Sequence, residues 1–73
     1  IFKEGVISCD VAQNIVVVKT MPGLAPAAGA ALDGMALEGL VGSLAGDDTV
    51  ILIMRTGQVA EELAREIESM LEG

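Results

Sequence analysis

The sequence contains no histidine, and this absence limits the chemistry that the chain can perform. General acid–base catalysis near neutral pH relies most often on histidine, and a hydroxyl or thiol nucleophile needs a base beside it. The available nucleophiles are Ser8, Ser43, Ser69 and Cys9. None of them has a histidine to activate it, so the composition argues against an enzyme and offers no catalytic residue.

Basic residues and cysteines are also scarce. Four basic residues stand against eleven acidic ones, which gives a net charge of −7. Contacts to a nucleic-acid backbone need Lys and Arg, so direct DNA binding is disfavoured, whereas a cationic ligand or a basic partner suits this charge. Cys9 is the only cysteine, which excludes an internal disulfide and favours a reducing compartment.

Long apolar runs are missing as well. No run approaches the roughly 18 residues of a membrane-spanning helix, and no signal peptide is visible, so we expect a cytoplasmic protein without a membrane partner. The 73 residues form one domain, residues 1–73, with a small capacity for burial. Yet 52% of them are apolar and only Phe2 is aromatic, so part of this aliphatic surface must be buried against other chains.

Hydrophobic patterning predicts six elements in the order ββαββα. The strands are Val6–Val11, Ile15–Thr20, Leu40–Ala45 and Thr49–Arg55, and the helices are Leu24–Met35 and Gly57–Leu71. Pro26 falls in the first turn of the first helix, where it is tolerated, and Thr56 can cap the second. Short hairpin connections favour an α+β, two-layer fold with a four-stranded antiparallel sheet and two helices on one face.

Two of these elements have more apolar surface than the fold can cover. Residues 15–18 and 50–54 show no polar–apolar alternation, which indicates strands covered on both faces. In the first helix the spacing of Leu24, Ala28, Leu32 and Met35 is helical, and the only charge is Asp33. A helix of this composition is normally buried on more than one side. Both surfaces predict closed, symmetric self-association.

Gly46-Asp47-Asp48-Thr49 places two adjacent carboxylates at a turn between apolar segments. A glycine followed by a polar residue predicts a two-residue hairpin loop with a positive φ at Gly46. Two anions at one tip repel each other unless a cation or hydrogen-bond donors share the site, so the tip is suited to a positive group from outside. The alternatives are an ordinary turn with solvated acids and a divalent-metal site, for which a third carboxylate is missing.

Two segments share their residues and spacing with a known family. They are Val16-Val17-Val18-Lys19-Thr20-Met21-Pro22-Gly23 and Gly42-Ser43-Leu44-Ala45-Gly46-Asp47-Asp48-Thr49, with Asp33 between them. Together they resemble the C-terminal domain of the bacterial arginine repressor, from about Ile7 to the last helix. The resemblance implies a ββαββα fold, trimers that stack into hexamers, and L-arginine bound as corepressor at the trimer–trimer interface. It also implies a winged-helix DNA-binding domain that would precede Ile1, is absent from this chain and alone contacts operator DNA.

The same resemblance implies roles for individual residues. Asp47, with Asp48 beside it, matches the position that receives the arginine guanidinium, which a carboxylate can bind through a bidentate fork. Asp33 matches the acidic position that holds the ligand's α-amino end. Ala45 matches a position that contacts the ligand mainly through its backbone. Pro26 stands where some members have a glutamine that touches the ligand, so that contact is lost or replaced here.

We therefore expect an oligomerisation and L-arginine-binding domain of a transcriptional regulator of arginine metabolism. Arginine is expected to stabilise the hexamer, and no other cofactor and no metal is expected. The alternative, from a different functional class, is a purely structural trimerisation module without a ligand. The choice among arginine, citrulline, lysine and agmatine stays open, because these molecules present overlapping groups.

Overall fold

A computed structural model of the chain describes residues 5–72 and confirms the predicted order of strands and helices. The elements are β1 (Val6–Ala12), β2 (Ile15–Thr20), α1 (Ala25–Gly34), β3 (Leu40–Ala45), β4 (Thr49–Met54) and α2 (Gly57–Glu72). Every predicted boundary lies within one residue of the observed one. Phe2, the single aromatic residue, falls outside the described residues.

The four strands form one sheet in the order β1-β2-β4-β3, and all neighbours are antiparallel. Consequently β2 and β3 run parallel to each other, and α1 connects them across one face. Both edge strands contain a register shift, between Val6 and Ser8 in β1 and between Leu40 and Gly42 in β3. Such irregularities bend an edge strand and interrupt its regular hydrogen bonding.

The core lies on the face of the sheet that both helices cover, as predicted. Alternate residues of the central strands are fully buried there: Val16 and Val18 in β2, and Val50 and Leu52 in β4. The helices add Ala25, Ala28, Leu32, Ala60, Leu63, Ala64 and Ile67. Small residues on α1 let this helix lie close to the sheet, because a Cβ at Gly29 would stand 3.3 Å from the Cβ of Ala45.

The opposite face of the sheet is apolar and remains open among the described residues. Val17 pairs with Ile51, which pairs with Leu44, so these side chains form one row across three strands. Val17 and Ile51 are only half-buried, and Leu44 is 74% exposed. The missing alternation in β2 and β4 therefore reflects apolar surface that one chain does not cover by itself.

The beginnings of the two helices agree with the sequence, and the end residues of α1 are exposed. The Thr56 hydroxyl accepts the Val59 N–H at 3.1 Å, which confirms the predicted cap of α2. Pro26 lies in the first turn of α1, as predicted. Leu24 and Met35 are 37% and 47% exposed in the single chain, because they are the two cap residues of α1 and lie beyond its packed stripe.

We expect Gly39→Ala to destabilise the chain by about 1–3 kcal/mol. Gly39 has a φ of +81°, which favours glycine, and an added Cβ would lie 2.5 Å from Cγ1 of Val59 on α2. Urea denaturation would measure the loss as a lower midpoint. Gly34→Ala is the matched control, because Gly34 lies in α1 and its added Cβ has no neighbour within 4 Å. The control should gain about 0.4–1 kcal/mol, and equal stability of the two variants would contradict the assignment.

Candidate functional site

The acidic turn between β3 and β4 has Asp47 and Asp48 at its two central positions. The ladder continues past the Ala45–Val50 pair, because the Gly46 N–H donates to the Thr49 carbonyl at 2.8 Å. The prediction of a positive φ at Gly46 was wrong, since the positive-φ glycines among the described residues are Gly23 and Gly39. Gly46 belongs to the last pair of the ladder, so the reversal falls one residue later than predicted.

Asp47 attaches this turn to the beginning of α1. Its Oδ2 accepts the Gly23 N–H at 3.3 Å, and its carbonyl accepts the Ala25 N–H at 3.1 Å. The N-cap residue Leu24 supplies no side-chain cap, so Asp47 provides acceptors at this helix end. Partial positive charge at a helix N-terminus stabilises an anion, which helps to hold the Asp47 carboxylate in place.

Asp48 has different partners from its neighbour. Its Oδ1 accepts a hydrogen bond from the Thr49 hydroxyl at 3.0 Å, and its carbonyl accepts the Thr20 N–H at 2.8 Å. The same Thr49 hydroxyl accepts a hydrogen bond from the Lys19 ammonium at 3.0 Å. The two adjacent carboxylates are thus held by separate donors, and both side chains remain exposed to solvent.

Asp33 lies at the other end of α1. Its Oδ1 accepts a hydrogen bond from the Ser43 hydroxyl at 2.9 Å. It follows Ala25 by eight residues of helix, which corresponds to a rise of roughly 12 Å along the axis. A single chain therefore does not bring Asp33 next to the Asp47-Asp48 turn.

Ala45 and Pro26 are placed near the turn. Ala45 is the last residue of β3 and lies beneath α1 at Gly29. Pro26 is an exposed residue that follows Ala25, whose N–H binds the Asp47 carbonyl. Asp47, Asp48 and Pro26 therefore lie near the beginning of α1, and Ala45 lies beneath the middle of the helix. Asp33 stands apart from them near the other end.

The sequence reading assigned no role to several residues that organise the site. They are Lys19, Gly23, Ser43 and Thr49. All of them fall within the two segments on which the family resemblance rests. The signal that could have identified these four residues is their type. They are polar residues and a glycine that have no obvious place in the core.

Cys9 is a core residue and takes no part in the acidic turn. It is buried in the cluster beneath the helices. Burial raises the pKa of its thiol to about 11, and the nearby charges of Glu68 and Asp10 add to this effect. The thiol therefore stays protonated at neutral pH and lacks the thiolate character of a nucleophile.

Two negative findings apply to residues 5–72. No three or more acidic or cysteine side chains come together there in a way that could hold a metal ion. Neither described helix combines the length and the apolar character needed to cross a membrane.

Comparison with known proteins assigns the chain to a family. Residues 2–69 match the family described as "Arginine repressor, C-terminal domain". The arginine repressor of Acetivibrio thermocellus is 46% identical over 70 residues, covering 96% of this chain and 46% of that protein. The arginine repressor of Ruminiclostridium cellulolyticum is 42% identical over 71 residues, covering 97% and 47%. The chain spans about half the length of these curated relatives.

These matches confirm the resemblance seen in the sequence. Proteins named as repressors regulate transcription and are not enzymes, which agrees with the expectation drawn from the missing histidine. The chain belongs to the arginine repressor family and corresponds to its C-terminal domain.

Proposed function

We propose that this chain is the domain through which an arginine-responsive repressor assembles and senses L-arginine as its corepressor. The observation that carries the proposal is the state of the two carboxylates at the turn. Each has one oxygen held by its own chain, Oδ2 of Asp47 and Oδ1 of Asp48, while the second oxygen has no partner among the described residues. A guanidinium carries five N–H donors, so it can donate to free oxygens of both carboxylates.

The amino-acid end of the ligand needs a second anion, and Asp33 is our candidate. Its Oδ1 is occupied by Ser43, and its Oδ2 has no partner within residues 5–72. An arginine would have to lie fully extended along α1 to reach Asp33 and Asp47 of one chain. We therefore propose that each ligand contacts Asp47 of one subunit and Asp33 of another.

The surface between these two aspartates supports an interface there. The outer side of α1 between them exposes Pro26, Ala27 and Ala30 and carries no charge. We assign this side of α1 to the contact between trimers and the open sheet face to contacts within a trimer. A ligand that bridges two subunits also relieves the repulsion between their acidic turns.

The structural module without a ligand remains the second candidate, and one contact favours it. Because Asp47 binds the beginning of α1, its carboxylate has a structural use even when no ligand is present. That structural role occupies one carboxylate oxygen of Asp47. It gives no reason for a second carboxylate, Asp48, at the same turn. In either case operator DNA would be bound by a separate domain. The proposal places the protein in the cytoplasm, where operator DNA and free arginine meet.

Asp47→Asn should weaken L-arginine binding about tenfold to a hundredfold, because a hydrogen-bonded charge pair becomes a neutral contact. The fold should persist, since the amide oxygen can still accept the Gly23 N–H. Isothermal titration calorimetry would measure the affinity. Glu61→Gln is the control, because Glu61 is an exposed residue of α2 and loses the same charge. Unchanged affinity in Asp47→Asn would remove this residue from the site.

L-Arginine should also stabilise the assembled state. Ligand that binds only the assembly contributes about 2.7 kcal/mol per site at a concentration a hundred times its Kd. Light scattering on dilute chain should then show a higher mass with arginine than without it. Citrulline is the control ligand, because it is nearly isosteric with arginine and lacks the charge. A mass that ignores arginine at every dilution would favour the purely structural module.

Mixed assemblies should reveal whether a site spans two subunits. Chains carrying Asp33→Asn and chains carrying Asp47→Asn should each bind arginine weakly when alone. Refolded together in equal amounts, they should regain high affinity at about a quarter of the sites. Only at these sites does the chain that keeps Asp33 meet the chain that keeps Asp47. Calorimetric stoichiometry would measure this fraction. No recovery after mixing would place both aspartates of each site on one chain.

A further inference from the structure

A hydrogen-bonded chain of three side chains runs from β2 to the acidic turn. The Lys19 ammonium lies 3.0 Å from the Thr49 hydroxyl, and that hydroxyl lies 3.0 Å from Oδ1 of Asp48. Lys19 has no part in the arginine site proposed for Asp47, Asp48 and Asp33.

The direction of the two hydrogen bonds is fixed by chemistry. An ammonium group has only donors, so the Thr49 oxygen must accept from Lys19. The hydroxyl has one proton, and that proton is then directed to Asp48. Lys19 thus polarises the hydroxyl that holds the Asp48 carboxylate, and charge-assisted bonds of this kind are stronger than neutral ones.

The backbone brings Lys19 and Thr49 within reach of each other. The two residues are directly paired across β2 and β4, which places their Cβ atoms about 4.5–5.5 Å apart on the same face of the sheet. A long exposed side chain ordinarily makes only weak, transient contacts. Here the strand register keeps the donor and acceptor within reach of each other, which favours this bond over other positions of the lysine side chain.

Lys19 is also a basic residue that is hydrogen-bonded to the turn, through Thr49. The other basic residues of the described chain are Arg55, which follows β4, and Arg65 on the exposed side of α2, and neither makes a side-chain hydrogen bond to Asp47 or Asp48 there. The two aspartates alone carry a charge of −2, and together with Lys19 they form a group with a net charge of −1. This residual charge equals the charge that one guanidinium would neutralise.

We propose that Lys19 is a positioning residue for the ligand site, acting through the Thr49 hydroxyl to hold the Asp48 carboxylate in a binding orientation. The proposal rests on the assignment of arginine to this turn. Lys19 and the ligand are both cations and repel each other. Lys19 nevertheless promotes binding, because holding Asp48 in its binding orientation contributes more than this repulsion costs.

The test is a double-mutant cycle on arginine affinity, measured by calorimetry on the chain. Lys19→Met should weaken binding about threefold to tenfold, and Thr49→Val should do the same, because each breaks the chain of bonds. In the Asp48→Asn background, Lys19→Met should change the affinity by less than about twofold, because no carboxylate is left to orient. Arg65→Met is the control for net charge and should bind as the unmodified chain does.

Three outcomes would overturn the proposal. Tighter binding in Lys19→Met would mean that its charge competes with the ligand. Unchanged binding would mean that Lys19 has no effect, and an equal loss in both backgrounds would mean that it acts elsewhere than through Asp48.

A second measurement does not depend on arginine and separates this proposal from the first. Three-bond couplings between the α and β protons of Asp48 should report one side-chain rotamer in the unmodified chain and averaging in Lys19→Met. If the unmodified chain fails to bind arginine but the couplings behave this way, the functional proposal falls, while the orientation of Asp48 by Lys19 is supported independently of it. Averaged couplings in both chains would refute the positioning role.

Discussion

The structure depends on one constraint: the chain contains more apolar side chains than its two layers can cover. Both helices pack on the same face of the sheet, so the second faces of β2 and β4 remain open in the described chain. The first helix faces the same difficulty, because Asp33 is its only charged residue. Contiguous exposed apolar surfaces ordinarily mark contacts with other proteins. The assembly that we propose is therefore a consequence of composition before it is a property of the ligand site.

The same composition determines how the acidic turn is built. A helix made mainly of alanine and glycine approaches the sheet closely, and its first N–H groups come within hydrogen-bonding distance of the β3–β4 turn. Asp47 accepts bonds from that helix end, while Asp48 accepts one from Thr49. Adjacent like charges are tolerated because each carboxylate has its own donors. The turn is therefore partly organised before any ligand arrives, which lowers the cost of binding.

The order of the elements could be predicted because it depends on local patterns. Residues 15–18 and 50–54 are rich in β-branched or aliphatic side chains, and the period of α2 is evident in its sequence. The prediction failed where the outcome depends on one residue of register. The predicted positive φ at Gly46 was wrong, because the ladder between β3 and β4 extends one pair further.

The candidate site was predictable only in part, for the same reason. Asp47, Asp48 and Ala45 are contiguous with a recognisable turn, so sequence alone places them together. The contact between Lys19 and Thr49 depends on the register between β2 and β4, which links residues thirty positions apart. The separation of Asp33 from the turn depends on the direction of α1 over the sheet. Neither the Lys19–Thr49 contact nor the position of Asp33 can be predicted from the residues next to it in the sequence.

The geometry of the turn bears on which cation it prefers. Lysine and arginine have the same charge, so the residual charge of −1 at the turn cannot distinguish them. The two carboxylates are held by separate donors at neighbouring positions, and each offers one remaining oxygen. A guanidinium can bind two separated acceptors with its fixed fork, whereas an ammonium is a point charge whose donors need not match them. In the proposed site, selectivity for arginine would come from how rigidly the turn holds its two oxygens. Any residue that stiffens Asp47 or Asp48 would then contribute to recognition without touching the ligand.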